Sequence, residues 1–513
     1  MLITAAALLT KTRLAFVVLF VVLALVLPLN DPDYFWHLKA GEYIVNHRGL
    51  PAGDIFSFTH AGQPWVLHEW LFEVMLFGAF ALWGSSGVKL LTALFAVVTL
   101  GVTFSLMRRL GQSSLVASLL AICGGVVLAG GWTPRPQLVT YLFFALYLSI
   151  LLAYKYHGAR RTLFVLPVLM VIWVNVHGGY LIGIALVALF TGAEWLNYLF
   201  GAGRTPVQKQ RLLELSLIAA ATTLASLVNP EFVGHWLYPF QVLGMEANHY
   251  IQEWQSPDFH QILPKMYLLL CGLFLLSYVY ATPKADITEL LVPGFFLFNG
   301  FVSVRHVPLA VLAMLPFIAL ALARGSTAAC AARWQGSWLG RRYARAVGGG
   351  KQLGGQAEGL LNWLLLLVIV MVLSLYRPVF RTTAEKQAER LPAGAADYVI
   401  ANRIQGNMFN VYKDGGYLIY RLGPQRKVFI DGRADVYGDT FIKDYMQMYS
   451  GQADWKRKFE RHAIDYAIVD KNAPIRQLLL TDGSFREVFR DKRYSVLLRT
   501  VPRQPVLSSR SSH

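Results

Sequence analysis

The sequence predicts a polytopic α-helical membrane protein that ends in a small soluble α/β domain. Three observations predict it. Hydrophobic residues fill 55% of the 513 positions and charged residues only 15%, a balance that excludes an ordinary soluble enzyme. Apolar runs near the ~20 residues needed to cross a bilayer recur from residue 13 to about 376. From Arg377 to His513 the composition turns charged, with ordinary polar/apolar alternation over a length that suits one small domain.

In a soluble chain a net charge of +17 would point to nucleic acid. Here much of it falls in short loops between apolar runs, so no nucleic-acid partner is expected. The clusters are Lys11/Arg13, Arg108/Arg109, Lys155/Arg160/Arg161, Arg204/Lys209/Arg211, Lys284 and the loop from Arg324 to Lys351. The positive-inside rule puts all of them on the cytoplasmic side, so an even number of crossings must separate consecutive clusters. The cysteines are Cys123, Cys271 and Cys330; none lies in the tail, which therefore has no disulfide framework.

Residues 13–29 make the first span, leading outward from a cytoplasmic N-terminus. Asn30-Asp31-Pro32-Asp33 follows in place of a small-residue cleavage site, so the segment reads as a retained span. The first outer loop covers 30–87. Its apolar stretch Leu71–Trp83 stops at Gly84-Ser85-Ser86-Gly87 and carries Glu73, which is too short and too polar to cross. Residues 67–83 therefore read as a helix along the outer interface, and 88–107 as the second span. Crossings then alternate at 112–131, 136–154, 162–176, 179–198, 212–228, 262–280, 287–303, 307–323 and 358–376. That makes about eleven spans. The Gly- and Arg-rich loop 324–357 reads as a cytoplasmic linker, in contact with lipid or simply solvated.

The division is thus a transmembrane domain at 1–376 and an extracytoplasmic α/β domain at 377–513. The tail opens with a helical stretch, Ala384 to Asn402, then a turn at Val411–Tyr417 and a short helix at about 416–422. Strands are expected at Lys427–Ile430, Ile464–Val469 and Tyr494–Leu498. The first ends in Asp431-Gly432-Arg433-Ala434-Asp435. Carboxylates at strand C-termini commonly serve ligands in such sheets, although Asp-Gly is also a common turn.

This topology collects polar residues on the outer face. They are the carboxylates Asp31, Asp33, Glu69 and Glu253, the imidazoles His37, His68, His177 and His306, and the guanidiniums Arg135 and Arg305. Charge at a membrane boundary is costly to place, which makes the cluster a functional-site candidate. The plainer reading is that Asp31 and Asp33 mark a helix boundary with Pro32 as breaker, and that the others end helices. Paired aspartates can hold a divalent cation, Mg or Mn, or one of them can act as general base. Arginines near the bilayer suit a phosphate or pyrophosphate. Together these fit transfer of a sugar from a polyprenyl phosphate.

The Asp31–Lys39 run, the interfacial helix after it and the paired short spans resemble the GT-C superfamily of integral membrane glycosyltransferases. That group includes the oligosaccharyltransferase catalytic subunits, the protein O-mannosyltransferases and the aminoarabinose transferases. The whole chain is similar to a set of bacterial membrane proteins of this type. They share His68-Glu69-Trp70, Arg135-Pro136-Gln137, Trp173–Gly179, Arg305-His306 and Phe429–Arg433. The resemblance implies a GT-C-like transmembrane domain in a bacterial inner membrane and a polyprenyl-phosphate sugar donor. The acceptor would be an extracytoplasmic glycan, lipid or protein. It also implies Asp33 as the catalytic or acceptor-orienting carboxylate, with Asp31 as its alternative. Arg135 and Arg305 would hold the donor phosphate. His37, His68, Glu69, His177, Glu253 and His306 would position substrate, and Asp431, Arg433 and Asp435 are the tail's candidates. The tail departs from the oligosaccharyltransferases in lacking a Trp-Trp-Asp run.

Two other functions stay open on sequence. A transporter or flippase of a lipid-linked sugar would show internal repeats and midplane charges; no repeat is seen, and the polar residues gather at one face. A non-catalytic envelope scaffold would tolerate loss of Asp31 and Asp33 but not of Asp431 and Arg433.

Overall fold

The computed structural model describes residues 31–201, 205–249, 252–279, 285–325, 390–452 and 454–500, with a few isolated positions besides. The expected spans at 13–29 and 358–376 and most of the loop 324–357 lie outside the described residues.

The helices follow one another closely. They are α1 (Tyr34–His47), α2 (Trp70–Arg109), α3 (Ser114–Leu128), α4 (Gln137–His157), α5 (Val165–Val176), α6 (Tyr180–Phe200), α7 (Pro206–Ala225), α8 (Gly234–Leu243), α9 (Ile262–Val279), α10 (Ile287–Val302) and α11 (Val307–Gly325). Local chemistry sets several ends. Ser113, Thr205 and Asp286 accept from the backbone N–H groups of Val116, Gln208 and Glu289 at the starts of α3, α7 and α10, each satisfying a donor that has no helical partner. The backbone of α2 leaves the helical region at Trp83 and Gly84. This is the Gly-Ser-rich point that separates the expected interfacial segment from the second span.

Six described helical segments are long and apolar enough to cross a membrane: Trp70–Arg109, Ser114–Gly131, Gln137–His157, Tyr180–Phe200, Ile262–Val279 and Val304–Gly325. The protein is a multi-pass membrane protein. The expected crossings at 162–176 and 287–303 are helices of 12 and 16 residues, and that at 212–228 falls in α7, whose first half carries Lys209, Arg211 and Glu214.

The chain forms two compact units, the first made of residues 1–28, 79–239 and 248–380. In it α3, α4, α9 and α10 surround α11, whose side chains from Val307 to Ala321 are all buried. A helix that is apolar all round needs such a central place. Charges at the ends of these helices are paired. Arg324 grips Glu289 through two 2.7 Å bonds, Tyr156 donates to the same carboxylate, and Lys155 meets Glu194 and Asp286.

The second unit joins residues 29–78 and 240–247 to 381–513. Its tail contains α12 (Ala393–Ala401), β1 (Met408–Asn410), α13 (Gly415–Leu422), α14 (Ala434–Ser450), α15 (Trp455–Arg461), β2 (Tyr466–Asp470), α16 (Pro474–Thr481), β3 (Phe485–Arg490) and β4 (Tyr494–Arg499). The sheet order is β1-β2-β4-β3, with β1 parallel to β2 and the other pairs antiparallel. The expected strand at Lys427–Ile430 is not in this sheet. It makes an isolated parallel bridge to Ser57 of the first loop, where Val428 N–H donates to the Phe56 carbonyl and the Val428 carbonyl accepts from Phe58 N–H. A partner some 370 residues away cannot be read from local alternation.

Trp36, Ala40, Ile44, Trp65 and Leu67 of the first loop share one hydrophobic core with Phe409, Phe429, Tyr445 and Ile468 of the tail. Each large side chain buried there contributes roughly 1.5–3 kcal/mol. The first loop is therefore a folded part of this unit.

Candidate functional site

The sequence candidates fall into two groups, one in each unit. In the second unit, three aspartates build the same local turn. Asp31 Oδ1 accepts from the N–H of Asp33, Asp54 Oδ1 from that of Phe56, and Asp431 Oδ1 from that of Arg433, each at 3.0 Å. This is the usual behaviour of Asp side chains in tight turns. Asp31 thus shapes the corner that presents Asp33. Asp33 sits at the N-cap of α1 without making a side-chain capping bond.

That corner is fitted against the tail's glycines. A β-carbon on Gly432 would lie 2.0 Å from Asp33 Oδ1, and one on Gly416 would lie 2.4 Å from the carbonyl oxygen of Pro32. The Asp31-Pro32-Asp33 and Asp431-Gly432-Arg433 motifs, far apart in sequence, are two sides of one contact.

Beneath it lies a buried charge network. The Arg433 guanidinium donates to Asp431 through Nε and Nη2, at 2.8 and 2.6 Å, and pairs with Asp54 at 2.8 Å. It also stacks over the rings of Phe56 and Trp65, 5.1 and 4.5 Å from their centroids. Tyr437 donates to Asp431 at 2.7 Å. Burial alone would make Arg433 easier to deprotonate, but the Asp431 and Asp54 carboxylates outweigh it and hold the cation. Tyr437 is pushed up by burial and by Asp431, so it stays a donor. Asp431 is therefore a structural anchor in the core, not a solvent turn.

On the other side of α1, His37 Nδ1 lies 3.1 Å from Glu73 Oε1 and 3.6 Å from Glu69 Oε2. His68 Nε2 is 3.2 Å from Glu69 Oε1. Burial would drive His68 neutral, yet Glu69 and, further off, Asp435 leave its imidazole more basic than usual. His37, Glu69 and Glu73 are the described group of His, Cys, Asp and Glu whose ligand atoms lie within 4.8 Å of one another; Asp31 and Asp33 are not in it.

In the first unit, Arg135 and Glu253 form a 2.7 Å ion pair. The Arg305 guanidinium stacks 5.0 Å above Trp254, whose ring is also near His306. Ser303 donates to the carbonyl of Glu253, and Val304 N–H to that of Gln255, which fixes the Glu253 segment beside Arg305. Burial would raise the Glu253 carboxyl, but Arg135 and Arg305 outweigh it and hold the group ionised. Two guanidiniums against one carboxylate leave a net positive charge suited to an anion. His177 lies apart from these. Its Nδ1 accepts from Gly179 N–H at 3.2 Å and meets Thr140 Oγ1 at 2.7 Å, while Trp173 Nε1 donates to the same hydroxyl. An accepting Nδ1 places the ring proton on Nε2 and locks the turn between α5 and α6.

Sequence reasoning gave no role to Asp54, Tyr437 or Glu73. Glu69 and Glu73 stand four apart, one helical turn, and that spacing was the available signal. Nothing local marks Asp54 as the partner of an arginine nearly four hundred residues on.

The fold is GT-C-like, a likeness of fold carried by solved structures at 13–16% identity. ArnT from Cupriavidus metallidurans in the apo state superposes with a TM-score of 0.54 at 16% identity, covering 96% of this chain and 98% of that one. The same protein bound to undecaprenyl phosphate gives 0.52, with the same identity and coverage. The Archaeoglobus fulgidus oligosaccharyltransferase tethered to an acceptor peptide gives 0.50 at 13% identity, over 89% of this chain and 68% of that one. No protein-family model and no curated protein sequence matches the chain.

Proposed function

We propose that this protein is a membrane glycosyltransferase that moves a sugar from a polyprenyl-phosphate-linked donor to a glycan, lipid or protein acceptor on the extracytoplasmic side. The observation that supports it most is Asp33 itself, whose backbone N–H is bonded to Asp31 and whose carboxylate lies close against the Gly432 backbone, in a chain of GT-C-like fold. A pre-positioned carboxylate suits a general base.

On this reading Asp33 takes the proton from the acceptor nucleophile as that atom bonds to the anomeric carbon. The bond from that carbon to the phosphate oxygen breaks, and the polyprenyl phosphate leaves as the anion. The Arg135/Arg305 pair, taken within its own unit, carries positive charge of the kind a phosphate needs. Asp31 and Asp33 remain the place for a Mg or Mn ion at the reacting centre if turnover requires one.

The test is transfer or donor hydrolysis by protein reconstituted with radiolabelled polyprenyl-phosphate sugars. Asp33→Asn should lower turnover by about 10²–10⁴-fold with donor binding kept. Equal turnover by wild type and Asp33→Asn would sink the assignment.

A further inference from the structure

We propose that His37, Glu69 and Glu73 bind a divalent first-row transition metal, of which zinc is the type, at a buried site separate from the Asp31/Asp33 pair. His37 comes from α1, Glu73 from the first turn of the facing helix α2, and Glu69 from the residue just before that helix. Gly41 permits the approach: a β-carbon there would lie 2.0 Å from the carbonyl oxygen of Glu73. One turn earlier on α1, His37 is thereby brought against both carboxylates.

The geometry is that of three ligands able to converge on one ion. In a tetrahedral site with bonds of about 2.0–2.1 Å, neighbouring ligand atoms lie about 3.3–3.4 Å apart. The observed separations of 3.1 and 3.6 Å from His37 Nδ1 bracket that value. Hydrogen bonding among the three leaves Glu73 short. Nδ1 carries one proton or one lone pair, so it cannot serve two carboxylates fully. Glu73 is 0% exposed, and its Oε2 has no hydrogen-bond partner among the described residues. Such an orphaned oxygen costs on the order of 1–3 kcal/mol. With both carboxyls ionised and the imidazole neutral, the set would carry a charge of −2, which a divalent cation cancels.

One imidazole and two carboxylates suit zinc, manganese or iron better than calcium or magnesium, which favour oxygen-only sets. The contact of His68 with the outer oxygen of Glu69 resembles the orienting groups that surround metal ligands. Since Asp33 stands four residues before His37, one turn along α1, a metal here would fix the helix that carries it. The inference does not depend on the transferase reading, because its test measures metal and not turnover.

Full-length protein bearing a histidine-free tag would be stripped with EDTA, then titrated with zinc chloride, with bound metal and thermal unfolding measured. One equivalent of zinc and a rise in unfolding temperature are expected for wild type, Asp31→Asn and Asp33→Asn. Glu73→Gln and His37→Gln should each weaken binding by at least about 100-fold. If those variants fail to fold, X-ray absorption of zinc-loaded wild type decides. One imidazole nitrogen with carboxylate oxygens supports the site; sulfur ligands or no imidazole overturn it. Binding well below one equivalent, or unchanged in Glu73→Gln, also overturns the proposal. So does loss of binding in Asp33→Asn with retention in Glu73→Gln, which would place the ion at the aspartates.

Discussion

Asp33 and Gly432 touch so closely that a single added methyl group at 432 would stand 2.0 Å from Asp33 Oδ1. A residue at the head of α1 is thus positioned by a backbone segment of the tail domain. The side chains flanking that segment are anchored below it, Asp431 and Arg433 both within the core. The glycine cannot move away, so the carboxylate must.

Gly432→Ala should therefore displace Asp33 while leaving the core network in place. The expected result is a fall in turnover of at least about 10-fold, with donor affinity and unfolding temperature little changed, because a misplacement of about 1 Å can cost that much or more. Transfer assays with a donor-binding measurement check it. Full activity in Gly432→Ala would show that the carboxylate's position does not govern the reaction.

The Arg433 network predicts a stability effect. Removing the guanidinium in Arg433→Met leaves Asp54 and Asp431 facing each other in the core without a cation. The expected cost is about 3–5 kcal/mol, as for other buried pairs broken on one side. Unfolding of the solubilised protein should show it. Neutralising the carboxylates as well, in Asp54→Asn/Asp431→Asn/Arg433→Met, should recover part of the loss.

Asp414 predicts a pH dependence. Its Oδ1 accepts from Tyr494, its Oδ2 has no hydrogen-bond partner among the described residues, and burial pushes its carboxyl up to about 7. Between the unfolded value near 3.8 and about 7, the folded state holds a proton that the unfolded chain releases. Stability from this group is thus fully present below that window and is lost as pH rises through it. A shift of this size corresponds to at most about 4 kcal/mol. Asp414→Asn should remove the dependence, so the variant gains on wild type between about pH 4 and about pH 7 in denaturation experiments. A constant difference across that range would contradict it.

Much of this molecule was legible in its sequence, and the rest was hidden for physical reasons. Apolar run lengths and the Gly84–Gly87 break locate α2 and its interruption, since both depend on local composition. Asp31, Asp33 and the Asp431-Gly432-Arg433 motif stood out as charge clusters. Their mutual contact did not, because it rests on backbone proximity at Gly432 and Gly416. Lys427–Ile430 reads as a strand by its apolar, β-prone residues, yet only Val428 makes a bridge, to Ser57 outside the sheet. Glu73 counted as polarity that argued against a span, but one turn from Glu69 it is half of a buried carboxylate pair.

Arg135, Arg305 and Glu253 give the last prediction. The carboxylate sits 2.7 Å from Arg135 and is held ionised by both arginines. An incoming phosphate must share those guanidiniums with it. Glu253→Gln keeps the shape and removes the competing charge, so it should tighten binding of a polyprenyl phosphate. Arg305→Ala should weaken it by about 10-fold or more, the scale of one hydrogen bond to a charged group, and strip Trp254 of the cation stacked on it. Both shifts should shrink as salt rises, since screening acts on the charge and not on lipid burial. Binding of lipid phosphate to protein in nanodiscs, at low and high salt, checks the pair together. If Glu253→Gln and Arg305→Ala shift affinity in the same direction, the net charge here does not set the binding, and the arginines serve only to tie the Glu253 segment to the start of α11.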